Sequence, residues 1–115
     1  MKDICSEIEY KGKKYKLVFN LNVMELIQEK YGTLDKWGNL SDGISGEPDI
    51  KAVKYGFMEM INEGIDIDNE ENGTDIKPLN LKQVGRMLTE IGLENIASKI
   101  SDTVIESTKS AEKNA

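Results

Sequence analysis

Residues 15–37, YKLVFNLNVMELIQEKYGTLDKW, decide how the rest of the chain is read. Tyr15, Leu17 and Phe19 alternate with Lys16 and Val18, the period of a strand with one face buried. Asn20 and Asn22 break that alternation. From there the apolar residues return at helical spacing, Val23, Ile27 and Tyr31, flanked by Met24 and Leu26, while Glu25 and Glu29 fall opposite. This is an amphipathic helix with a core-facing stripe. Asn22 followed by Glu25 has capping-box spacing, with Asn20 as the alternative cap. Gly32 suits the left-handed position that ends a helix, and Leu34 and Trp37 anchor the start of a short further one. A strand that passes into a helix within a few residues is the predicted folding centre. Trp37 is read first as a lid over the core and second as a partner contact, because an indole covers much apolar area.

Upstream, Ile4, Ser6, Ile8 and Tyr10 share one face of a second strand, and Lys11-Gly12-Lys13-Lys14 supplies a turn, which predicts a β-hairpin over 4–19. Two strands alone are marginal in water, so the hairpin must pack on helices or pair with another chain. Lys11, Lys13, Lys14 and Lys16 form the basic cluster, read as solubility and protection of a sheet edge.

Downstream, residues 38–47 read as a glycine-rich flexible loop. Pro48 between Glu47 and Asp49 marks a helix start, and Ile50, Val53, Phe57, Met60 and Ile61 form its stripe, closed by Gly64. Tyr55 and Met58 fall off the stripe, towards the outer face. Residues 65–78 read as a solvated acidic loop. Asp68, Glu70, Asn72 and Gly73 resemble the start of a calcium loop, but the twelfth position is Leu79 instead of a bidentate Glu, so that site is rejected. Asn80 and Gln83 repeat the capping spacing before the stripe Leu81, Val84, Leu88 and Ile91. Past Gly92 a last helix follows Leu93, Ile96, Ala97, Ile100 and Val104, with Ile105 more than a quarter turn away. The predicted fold is α+β and mostly α: the hairpin, then about four helices (about 22–31, 48–63, 80–91 and 93–107) and a polar tail at 108–115, in one small domain.

Net charge is −6, and the acidity sits in the middle. Residues 37–79 hold three Lys/Arg against ten Asp/Glu, whereas 1–36 hold seven against six and 80–115 five against five. An acidic chain without a basic stripe argues against nucleic acid. The first residues are acidic and not apolar, unlike a signal peptide, and no window reaches the roughly 20 apolar residues of a membrane span. One cysteine, Cys5, makes no internal disulfide and reads as a small buried hydrophobe. There is no His, which removes the commonest general base and metal ligand, and no phosphate-loop, dinucleotide or nucleophile-elbow motif occurs. No residue is assigned to catalysis, metal or cofactor.

The order of these elements resembles the tail assembly chaperones of long-tailed bacteriophages and prophages of Gram-positive bacteria. The similarity is carried by KLVFNLNVMELIQEKYGTLDKW, a polar loop, PDIKAVKYGFMEMI, a second loop, LNLKQVGRMLTEIG and a last helix with a polar end. It covers about residues 10–110 and rests on element order, hydrophobic spacing and length. The resemblance implies a non-enzymatic protein of the host cytoplasm, absent from the mature virion. It would bind the tape measure protein, keep that apolar helical polypeptide soluble, help tail tube protein polymerise around it, and self-associate. Two other readings compete: a minor structural tail or connector (tail completion) protein, and a small acidic bacterial adaptor. For a partner surface, the off-stripe Tyr55, Met58 and Ile105 are the candidates, with Trp37 next.

Overall fold

The computed structural model describes residues 5–42 and 47–113. The expectations for Ile4, the Cys5 side chain, the loop at 43–46 and the chain end at 114–115 fall outside them. Strands β1 (Cys5–Tyr10) and β2 (Lys13–Val18) pair antiparallel. Lys11 and Gly12 between them both have positive φ, 52° and 77°, as a type I′ hairpin turn requires. Ser6 opposes Leu17 and Ile8 opposes Tyr15, so these four share the face that meets the helices.

Five helices follow: α1 (Leu21–Tyr31), α2 (Leu34–Asp42), α3 (Ile50–Asn72), α4 (Leu81–Ile91) and α5 (Leu93–Lys113). The chain is therefore mostly α with an N-terminal hairpin, and its radius of gyration, 13.7 Å, matches the roughly 13 Å of one domain this long. Helix α3 is the hub, packing against β2 and every other helix. Leu17, Phe19, Val23, Ile27, Trp37, Phe57, Met60, Ile61, Met87 and Ile96 form one buried cluster around it. Within this cluster the strand-to-helix unit contributes Leu17, Phe19, Val23, Ile27 and Trp37, and α3 contributes as many with Ala52, Val53, Phe57, Met60 and Ile61, so the core is centred on the packing of the two.

Several boundaries differ from the sequence reading, each for a physical reason. Asn20, not Asn22, caps α1: its backbone is extended, and its side chain accepts from the Val23 N–H. Asn22 lies inside the first turn, and both asparagine amides donate to the Glu63 carboxylate on α3, at 2.5 and 3.0 Å. Helix α2 is a full element reaching into the expected loop, because Leu34, Trp37 and Ser41 turn one face inward while Asp35, Lys36 and Asn39 stay outside. Pro48 lies just ahead of α3, and Asp49 is its cap, accepting from the Ala52 N–H at 2.9 Å. The polar tail is helical to Lys113. The capping box of Asn80 and Gln83 forms as read, and Gly92, with φ 105°, lets α4 and α5 meet with no connecting loop.

The largest correction concerns Gly64. It does not end α3; the helix runs on to Asn72 and closes at Gly73 in the left-handed conformation. A Cβ on Gly64 would lie 2.5 Å from the Lys16 carbonyl oxygen, so the missing side chain is what lets β2 lie against the helix. One turn further, Asp68 pairs with the Lys16 ammonium at 2.9 Å. Of the expected loop at 65–78, only the part after Gly73 is non-helical, and it is tied back to α3. Asn69 accepts from the Thr74 hydroxyl and the Ile76 N–H and donates to the Ile76 carbonyl. Asn62 exchanges two hydrogen bonds with the backbone of Leu79.

Candidate partner-binding surface

The structure separates the four candidates. Trp37 is 2 % exposed; its ring stacks on Phe19 with centroids 6.1 Å apart, and its indole N–H donates to the Ala52 carbonyl at 3.0 Å. Gly56 makes the space, since a Cβ there would fall within the indole ring's own van der Waals shell. Trp37 is a lid built into the core and offers no side-chain surface. Ile105 is about half exposed on α5, away from the buried stripe of Ile96 and Ile100.

Tyr55 and Met58 do not face outward as expected. Both are half-buried and packed against the core cluster, because α1 lies over the face of α3 that carries Tyr55. The Tyr55 hydroxyl donates to the Leu26 carbonyl at 3.2 Å, its ring meets Tyr31 edge-on at 5.9 Å, and the Lys30 ammonium sits over it at 4.9 Å. Desolvation, with the carboxylate of Glu59 beside it, pushes the Tyr55 phenol from 10.0 up to about 12. Desolvation and then Asp49 raise Tyr31 as well. This is a structural joint between α1 and α3.

The apolar surface that remains open lies elsewhere. Ile50, placed by periodicity on the core stripe of α3, is 60 % exposed. It stands in the first turn, beyond the reach of the core, and its position is fixed from behind by the Asp49 N–H donating to the Leu40 carbonyl at 2.8 Å. Across from it, Gly92 brings Leu93 to the junction of α4 and α5. Between them runs a furrow of ≈ 250 Å³ floored by Leu88 and Gly85, with Lys54 on one wall. It continues past Pro48 and Glu94 as a larger cleft of ≈ 550 Å³ that shares Ile50, Gly92 and Leu93. Gly85 and Gly92 open this furrow by carrying no side chains into it. The signal that could have found it is positional: an apolar residue one place after an N-cap lies at the end of a stripe, where burial is least assured.

Among the described residues no helix is long and apolar enough to cross a membrane, and no cluster of three or more His, Cys, Asp or Glu is placed to hold a metal ion. Compared with known proteins, the chain matches no family model, no curated relative and no solved structure.

Proposed function

We propose that this protein is a non-enzymatic tail assembly chaperone of a long-tailed bacteriophage or prophage. It binds the tape measure protein in the host cytoplasm, keeps that apolar helical polypeptide in solution, and helps tail tube protein polymerise around it. The reading starts from the element order quoted above. The observation that carries it is the Ile50–Leu93 furrow, an open apolar trough between helices of the kind that receives the apolar face of an amphipathic helix. The chain's net charge of −6 opposes aggregation of the loaded complex. On this reading the contact residues are Ile50, Leu93 and Leu88, with Ile105 as an outlying contact.

Co-expression with a tape measure protein from the same phage or prophage is the direct test. The chaperone should bring that protein into the soluble fraction, and Ile50→Glu should abolish the effect while leaving the unfolding free energy within about 0.5 kcal/mol of the parent, as for other exposed sites. A tape measure protein that stays equally insoluble with and without this chain ends the proposal. Stoichiometric recovery of the chain from purified virions would support the tail completion reading in its place.

A further inference from the structure

The hairpin has only two strands, and β1 lies at its margin. The two-residue turn makes Tyr10 and Lys13 a hydrogen-bonded pair, so by alternation Ile8 and Ser6 also bond to β2, whereas Glu7 and Glu9 turn their N–H and C=O groups away from it. Among the described residues, no backbone hydrogen bond outside the helices and the ladder involves Glu7 or Glu9. A groove of ≈ 460 Å³ runs along this edge, between Glu7–Glu9 and the α5 residues Asn95, Ser98, Lys99 and Asp102. Helix α5 is held there as a floor. Thr103 is buried and spends its one hydroxyl proton on the Lys99 carbonyl, so the Ser6 hydroxyl donates to Thr103 Oγ1, at 2.6 Å.

We propose that this edge is a strand-addition site for an extended segment of a partner protein carrying Lys or Arg at alternate positions. An open edge above a groove supplies backbone pairing, and Pro, a bulge and Lys do not occur along Ser6–Tyr10, whose protection against unselective pairing is the charge of Glu7 and Glu9. Charge selects the occupant. The charged side chains lining this margin are Glu7 and Glu9, opposite Lys16 and Lys14 within the hairpin, and Asp102 and Lys99 across the groove, so three carboxylates face one ammonium in the groove and cations on the incoming strand extend the alternation of sign. A second copy pairing through β1 would set Glu7 and Glu9 against their own counterparts, and like charges directly opposite are destabilising. The floor mixes the polar Asn95, Ser98 and Asp102 with Ile91 and Ile96, which suits threonine, with its hydroxyl and its methyl, on the inward face of the added strand. The site uses none of the apolar residues of the Ile50–Leu93 furrow, and it stands whether or not the chaperone reading does.

The test is amide NMR and hydrogen exchange on the intact protein with a short blocked peptide alternating Lys and Thr, and its Glu–Thr counterpart as control. With the Lys–Thr peptide at about ten times its Kd, exchange at the Glu7 and Glu9 amides should slow roughly tenfold, and binding should weaken as salt is raised. Glu7→Gln with Glu9→Gln should weaken the Lys–Thr peptide, and Glu7→Lys with Glu9→Lys should reverse the preference to Glu–Thr. Absence of protection at Glu7 and Glu9, or equal binding of both peptides by the parent protein, overturns the proposal. So does protection that rises with protein concentration without peptide, since the occupant is then a second copy.

Discussion

The two halves of α3 do opposite things with the same helical repeat. In the first half, Ile50 to Glu63, the stripe Val53, Phe57, Met60 and Ile61 is wholly buried, and the end that outruns the core, Ile50, opens the furrow. The second half, Gly64 to Asn72, has few apolar residues and carries Asp66, Asp68, Glu70 and Glu71 towards the helix C-terminus, where the macrodipole disfavours acids. It persists because β2 lies against it at Gly64, Lys16 meets Asp68, and the returning chain is fastened through Asn69 and Asn62. The first half is held by apolar area, the second by shape and by side-chain bonds to backbone. Substitutions separate the two modes.

The largest effect belongs to the first half. Trp37→Ala empties the space above Gly56 and leaves the Ala52 carbonyl without its indole donor, so stability should fall by about 3–5 kcal/mol, read from denaturant midpoints. A loss under about 1 kcal/mol would mean that the lid is not part of the core. Next is Gly64→Ala in the second half. Its helix-propensity gain is up to about 1 kcal/mol, but the new methyl meets a backbone oxygen that has no rotamer to escape into, and a net loss of about 1–2 kcal/mol should result. Gly38→Ala is the control of opposite sign. That glycine is helical with nothing near its Cβ position, and the substitution should stabilise by about 0.4–1 kcal/mol.

Alkali probes the joint between α1 and the first half of α3. The Tyr55 phenol is raised in the folded protein to about 12, so folding favours its neutral form. That contribution is complete below the unfolded value of 10.0 and is lost as pH rises from there through about 12. Tyrosinate absorbance should show a late-titrating phenol, and Tyr55→Phe should flatten the stability loss over that window. A Tyr55 that titrates at 10.0 in the folded protein would show that the joint is wet.

This contrast also explains what could be read from the chain. The stripes Val23–Ile27, Val53–Phe57–Met60–Ile61 and Val84–Leu88 are apolar, periodic and long, so the first half of α3, the hairpin and the other core faces were legible. Gly64 was not, because a glycine at a helix end and a glycine under a crossing strand are the same letter, and only β2 distinguishes them. The acids after it deepened the misreading, since the partner of Asp68 lies 52 residues away in sequence. Helix α2 was hidden in the sequence by Gly38 and Asn39, both poor helix formers. For the candidate site, periodicity identifies which residues leave a stripe, but not whether another helix covers them. Tyr55 is covered by α1, while Ile50, on the stripe itself, is open.

The smallest expected effect tests whether charge or shape holds the second half. The Lys16–Asp68 pair is more than one-third exposed on each side, at 37 % and 35 %, and solvent-screened pairs of this kind contribute roughly 0.2–1 kcal/mol. Asp68→Asn should therefore cost less than Gly64→Ala, and raising the salt concentration should shrink the difference between Asp68→Asn and the parent. The two sites lie one helical turn apart and share Lys16 as neighbour, so the double variant should depart from additivity: once the methyl at residue 64 pushes Lys16 away, losing Asp68 removes little more. If Asp68→Asn alone costs as much as Gly64→Ala, or if the double variant is strictly additive, then β2 is held by the ion pair independently of the helix surface beneath it. The acidic half of α3 would in that case be fastened by charge, and its persistence should become strongly salt-dependent.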